Sequence, residues 1–177
     1  MLAFWAHGYE TTSIAELTRA MGITAPSLYT AFGDKRTLFF EALDRYLGGG
    51  PEAVTRAIDA APGARDAARD MLEHSAVLFT GRETPRGCLL ATATASCSAA
   101  SADVQEALAS IRLEIEARLR TRIEQDVVAG VLPQKTDAVA LAGLTAATVQ
   151  GLSSLARDGA SRAKLLGVVS AAMSTWP

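Results

Sequence analysis

Cysteine is nearly missing from this chain, with Cys88 and Cys97 the only two among 177 residues. Two thiols cannot build the disulfide framework that staples a small secreted fold, and no secretory signal precedes the first folded pattern, so a reducing cytoplasm is the expected compartment. Histidine is equally scarce, at two residues, and no grouping of His and Cys reaches the donor number and spacing of a metal centre. Aromatic residues make up 6% and no alternating Val/Ile/Thr-rich segment occurs, which removes the usual signal for strands. Catalytic signatures are also missing: there is no nucleophile elbow, no glycine-rich phosphate loop and no carboxylate pair in a distinct setting. No cofactor or metal is expected, and no enzymatic activity. Charge of one sign is not in excess either, the net charge being −2, so the bulk composition carries no basic footprint of a nucleic-acid binder. The longest uncharged run, Ala138 to Ala156, is 19 residues long. Its Thr145, Thr148, Gln150, Ser153 and Ser154 make it too weakly apolar for a membrane span, and a tightly packed helix is the expectation.

What is present is an abundance of Ala, Leu, Arg and Glu, all good helix formers, which predicts an all-α fold. The most informative stretch is Thr11 to Arg36, TTSIAELTRAMGITAPSLYTAFGDKR. Ser13 and Glu16 stand at capping-box spacing before an apolar face of Ile14, Leu17 and Met21. Gly22 supplies a residue able to take positive φ at a helix end, and Thr24 can cap a second helix only two residues later. Pro26 falls in that helix's first turn, where its missing N–H matters little, and Gly33 stops it after Phe32. Asp34 can then cap a third helix that buries Leu38, Phe39, Ala42 and Leu43. Two helices joined so tightly cross steeply, the geometry that presents the second to a DNA major groove.

The segment GYETTSIAELTRAMGITAPSLYTAFGDKRTLFFEAL resembles the N-terminal domain of TetR-family transcriptional repressors. In that family a Gly-Tyr/Phe pair precedes the first motif helix, the second ends in L-Y-x-x-F, and a lysine opens the next; Leu28, Tyr29, Phe32 and Lys35 occupy those places. The resemblance covers roughly the first quarter of the chain. It implies a bacterial, dimeric DNA-binding repressor, released from a palindromic double-stranded operator by a small-molecule ligand. Phosphate contacts by the residue before the first motif helix and by the lysine carry over to Thr12 and Lys35. Proteins that resemble this one also carry a further basic segment ahead of the first helix. Met1 to His7, MLAFWAH, has no capping signal before it, so such an arm is expected upstream. That expectation offsets the charge of residues 1–47, where four basic side chains face five acidic ones.

Within the reading helix, Thr24 and Ser27 can hydrogen-bond a base edge or a phosphate, Ala25 and Pro26 can touch a thymine methyl, and Tyr29 suits a phosphate oxygen. With Thr12, Ser13, Thr30 and Lys35 they form the expected DNA-contacting set, against the plainer reading that the hydroxyls are only caps and Tyr29 only core. None of the helix residues is Arg, Asn or Gln, so base specificity must lean on apolar contacts, water and DNA shape.

Gly48-Gly49-Gly50-Pro51 is the clearest break, dividing a helix-turn-helix domain at 1–47 from a helical sensing and dimerisation domain at 51–177. Helices are expected over Val54 to Ala60, Ala64 to Thr80, within Gly87 to Ala102, Ser101 to about Val128, Asp137 to Asp158 and Ser161 to Trp176. In the longest, Val104, Leu108, Ile111, Ile115, Leu119, Ile123 and Val127 form one apolar stripe. The apolar faces of the sensor helices suggest a ligand cavity lined by Met71, His74, Ser75, Leu78, Cys88, Thr92, Ile111, Ile115 and Thr148, a composition suited to a small, largely apolar molecule. The last two helices, 137–176, carry a row of small residues, Gly143, Ala147 and Gly151. Chains resembling this one pair that region with a second copy as a four-helix bundle, which implies a homodimer. Two alternatives stay open: a repressor that senses oxidants or electrophiles through Cys88 or Cys97, and a helical enzyme using Cys88 and His74.

Overall fold

The computed structural model describes residues 1–177, and its regular structure is entirely helical. Ten α-helices follow one another: α1 Leu2–His7, α2 Ile14–Met21, α3 Ala25–Phe32, α4 Lys35–Tyr46, α5 Pro51–Ala60, α6 Ala64–Phe79, α7 Leu89–Ser96, α8 Ala102–Val128, α9 Ala138–Arg157 and α10 Arg162–Met173, with one 3₁₀ turn at Ala99–Ser101. Local chemistry sets half of the α-helix starts. Ser13, Thr24, Asp34, Asp137 and Ser161 each accept a hydrogen bond from the amide three residues on, satisfying a donor that the helix itself leaves unpaired. Gly22 closes α2 in the left-handed region at φ 67°, as the short turn before α3 requires.

Three details differ from the sequence-based expectation. The capping box at α2 is made on one side only: Ser13 accepts from the Glu16 amide, but the Glu16 carboxylate turns outward to His7 Nε2 at 3.2 Å. Helix α5 begins at Pro51 rather than Val54 because proline is already set for the first helical position and Gly50 supplies the preceding turn. Helix α10 stops at Met173, yet Trp176 still folds back and is buried.

The apolar side chains gather into two cores. One is built on α6, α8, α9 and α10, with Ile58 of α5, around Leu72, Phe79, Leu119, Ile123, Leu152, Leu165 and Trp176. The other holds Phe4, Trp5, Leu17, Leu28, Phe39 and Leu43 of the first four helices, and it is completed by Leu89, Leu90 and Ala93 of α7 and Val104 and Leu108 of α8. The glycine break at 48–50 therefore separates helices in sequence but not cores in space. The long stripe of α8 spans both, with Val104 and Leu108 in one and Leu119 and Ile123 in the other.

A polar clamp fixes the start of the larger core. Gly63 offers α6 no side-chain cap, and Asp126 of α8 replaces it, accepting from the Ala64 amide at 2.7 Å. Arg122, one turn earlier, donates to Asp126 at 3.2 Å and to the carbonyls of Asp59, Ala61 and Pro62 at 2.9, 2.9 and 3.0 Å. The end of α5 and the start of α6 are thus both held by one face of α8.

Candidate nucleic-acid interface

Helices α2 and α3 are joined by Gly22, Ile23 and Thr24 alone, and α3 projects from the reading head with only Leu28 fully buried. Pro26, Ser27, Tyr29 and Thr30 are exposed, as are Ser13 and Thr24, while Ala25 is half-buried. Tyr29 is 48% exposed, which sets aside the reading that it is only a core residue. Thr24 joins the Ser27 hydroxyl at 2.9 Å as well as capping its amide. The two hydroxyls can therefore shift together between cap and DNA partner.

The two residues expected on phosphates are placed differently. Thr12 is fully buried, its hydroxyl donating to the Gly8 carbonyl at 2.6 Å, so that side chain braces the α1–α2 turn and leaves only backbone for DNA. Lys35 is half-buried at the start of α4, its ammonium donating to the Glu10 carbonyl at 3.2 Å and lying 4.7 Å from the Tyr9 ring centre. Burial draws that ammonium below the usual lysine range, opposed by the Glu10 carboxylate and Cys97. Tyr9 in turn packs edge-on against Phe39 at 5.0 Å and beside Phe4 at 6.3 Å, so the aromatic platform under Lys35 is part of the core.

The head is seated on the sensor chiefly by α1 against α7. Trp5 donates from Nε1 to the Gly87 carbonyl at 2.8 Å and meets Tyr46 edge-on at 4.8 Å. Gly8 lies against α7 so closely that a Cβ there would stand 2.6 Å from Ser96 Cβ and 3.0 Å from the Thr92 carbonyl, and its φ of 88° already favours glycine. Burial pushes the Tyr46 phenol well above its usual range, reinforced by the neighbouring Cys88 thiol. None of these pairings is visible in the sequence, because each joins residues far apart along the chain.

The residues expected to line a cavity have unlike settings. His74 is exposed on the outer side of α6, contrary to its expected inward placement. Thr92 is buried with its hydroxyl on the Cys88 carbonyl, and the hydroxyl of half-buried Thr148 is taken by the Leu144 carbonyl. Met71, Ser75, Leu78, Cys88, Ile111 and Ile115 are half-buried. Of these, Leu78 and Cys88 touch both cores, so the set lies along the seam between them. Two hollows lie elsewhere: about 510 Å³ between Arg65, Arg69 and α10, and about 750 Å³ among Arg82, Arg86 and Arg162. Cys88 and Cys97 cap opposite ends of α7 as free thiols, and no cluster of donors suited to a metal occurs.

A capped two-helix motif presenting a polar, exposed second helix, carried on a helical body, defines a helix-turn-helix DNA-binding regulator. Comparison with known proteins gives the family. Residues 3–42 match the bacterial regulatory proteins of the tetR family and residues 64–171 match the tetracyclin repressor-like C-terminal domain. The chain is 33% identical over its whole length to the HTH-type transcriptional repressor ComR of Escherichia coli, covering 85% of that protein. Among solved structures it is similar to a cysteine-substituted TetR family regulator CifR complexed with 26-base-pair operator DNA, with 40% identity, a TM-score of 0.90, and 99% and 92% of the two chains covered. It is also similar to a TetR regulator from Rhodococcus sp., with 38% identity, a TM-score of 0.70, and 98% and 93% covered. The chain belongs to the TetR family and is a TetR-type DNA-binding transcriptional regulator.

Proposed function

We propose that the protein is a repressor that binds a two-fold double-stranded operator as a homodimer and leaves it when a small molecule occupies the sensor. The observation that carries the reading is the free face of α3, where Pro26, Ser27, Tyr29 and Thr30 stand exposed beside a lysine at the next helix start. Relatives named as repressors and the likeness to a chain held on operator DNA support it. With Lys35 and the free amides at the start of α4 near phosphate, α3 reads bases through hydroxyls and apolar contacts, and DNA shape supplies the remaining discrimination.

A two-fold operator needs a two-fold reader. The row on α9 favours α9 and α10 as its seam: Ala147 and Gly151 are exposed, and a Cβ added at Gly151 would meet nothing within 4 Å. Val139, Leu144 and Leu166 are exposed apolar side chains on the same two helices. Ala147 and Gly151 are thus not used within the subunit, and a second copy can approach them closely, whereas Gly143 is half-buried beside Glu116. For the sensor, the seam between the two cores, at Leu78 and Cys88, is the place where a largely apolar ligand would bias one core's position against the other.

Selection of bound sequences from random duplex DNA by the full-length protein tests the reading. A palindromic consensus is expected. On that duplex, Lys35→Ala should weaken binding about equally for all sequences and lower the salt slope by about one, and Tyr29→Phe should weaken it without changing the slope. Enrichment of no sequence, or parent-like binding by both variants, would overturn the assignment.

A further inference from the structure

The reading head meets the sensor at a second place, apart from α1 and α7, and this patch surrounds Lys35. Glu10 lies in the α1–α2 turn. Its carboxylate accepts from the Ser98 amide at 2.5 Å and from the Ser98 hydroxyl at 2.6 Å. Ser98 follows α7 and begins the 3₁₀ turn that leads into α8, its own hydroxyl accepting from the Ala100 amide at 3.2 Å. The backbone carbonyl of the same Glu10 accepts from Lys35. On the next residue, Arg36 Nε meets Asp103 in the first turn of α8 at 2.8 Å. Glu10 is thus the residue at which the α1–α2 turn, the start of α4 and the α7–α8 connection join.

An acidic residue beside a phosphate-binding lysine runs against simple electrostatics, which disfavours a carboxylate near the DNA backbone. Its presence is accounted for if its work is done on the protein. We infer that Glu10 is a positioning residue for DNA binding: its side chain grips Ser98 while its carbonyl holds Lys35, so the aim of the phosphate anchor follows the C-terminal end of α7. The inference rests on the reading of Lys35 as a phosphate anchor. A lysine has three donors and the carbonyl takes one, leaving two for a phosphate. Helix α7 packs against α1, α4 and α8, so a displacement of α7 from within the sensor reaches Lys35 through Ser98 and Glu10. Linkage requires the converse: DNA that engages the aimed lysine must tighten the Ser98 contact.

The full-length protein and its variants are titrated with the selected operator duplex by fluorescence anisotropy at several salt concentrations, with melting curves to confirm folding. Glu10→Ala and Ser98→Ala are each expected to weaken binding about five-fold, and the double variant no further than the weaker single. Loss of a carboxylate near DNA would by charge alone strengthen binding, so a loss cannot come from that source. Glu10→Gln keeps an acceptor for Ser98 and should stay within about two-fold of the parent. Hydrogen exchange over residues 97–100 should slow when duplex binds the parent and remain unchanged in Glu10→Ala. Operator affinity unchanged or raised in Glu10→Ala, or additive losses in the double variant, overturns the inference. If Glu10→Ala melts without cooperativity, Ser98→Ala and the exchange of the parent decide in its place. A parent that binds no duplex would instead remove the functional reading on which the inference stands.

Discussion

Asp126 shows how much one side chain can organise. It is 7% exposed, and its carboxylate starts α6 across the fold while its backbone carbonyl accepts from the Val131 and Leu132 amides and so ends α8. Its partner Arg122 is left with an uncompensated guanidinium if the carboxylate is removed, and the Ala64 amide loses its only cap. Asp126→Ala should therefore cost roughly 3 kcal/mol in urea unfolding, well above the effect of an exposed ion pair. The exposed Arg36–Asp103 pair gives the comparison, since Asp103→Ala should change stability by less than about 1 kcal/mol. Equal losses for the two variants would mean that burial does not decide the difference.

At the scale of elements, α9 has two unlike faces. Leu141, Ala142, Thr145, Leu152, Ser153 and Ala156 are buried, whereas Ala147 and Gly151 are open. By length and composition it is the one helix apolar enough to cross a membrane, but its contacts with α6, α8 and α10 use it as a packed wall. The open side is the expected meeting surface of two subunits. Gly151→Arg should place a charge and a long side chain in that seam and shift the protein to monomer at micromolar concentration, read by sedimentation velocity. Because nothing within the subunit approaches Gly151, the monomer should keep its helical content. A parent that sediments as a monomer would dispose of the seam.

Short-range chemistry explains why α2, α3, α4, α9 and α10 were legible in the sequence: each cap lies three residues from the amide it satisfies. The same reasoning placed α6 but not its cap, which comes from α8, and it overextended α10, which stops at Met173. In the expected DNA-contacting set, exposure at Pro26, Ser27, Tyr29 and Thr30 follows from the helical period, and at Ser13 and Thr24 from their place as caps. The burial of Thr12 does not, because it depends on the turn that wraps α1 onto α2.

For the molecule as a whole, three hydrogen-bonded carboxylates should set its acid response, and two of them, Glu10 and Asp59, tie distant parts together. Hydrogen bonds from Ser98 hold the Glu10 carboxyl below the usual range, the Thr37 amide does so for Asp34, and the Arg118 guanidinium for Asp59, where Arg118 Nε donates at 2.6 Å. A depressed folded-state pKa means that the unfolded chain binds protons first as pH falls. The stabilisation is fully present above the unfolded carboxyl value of about 4 and is lost as pH drops through the lower folded values. Melting temperature should thus hold steady from neutral pH to about 5 and then fall. Glu10→Gln, which removes one of the titrating groups, should fall less steeply. Melting curves taken from pH 7 to pH 3 check this, and a melting temperature that rose on acidification would reverse the sign of the argument.

The sequence by itself determined the helices, their capped starts, the short turn of the DNA-reading motif and the apolar stripe of α8, because those depend on residues within a turn or two of one another. The tertiary structure alone decided that α7 completes the core of the reading head, that Ala147 and Gly151 of α9 stay open, that His74 faces outward and that Glu10 links Ser98 to Lys35. Those outcomes join positions such as 10 and 98, or 5 and 87, and a pairing across that distance is set by how whole helices stack, which no local spacing encodes.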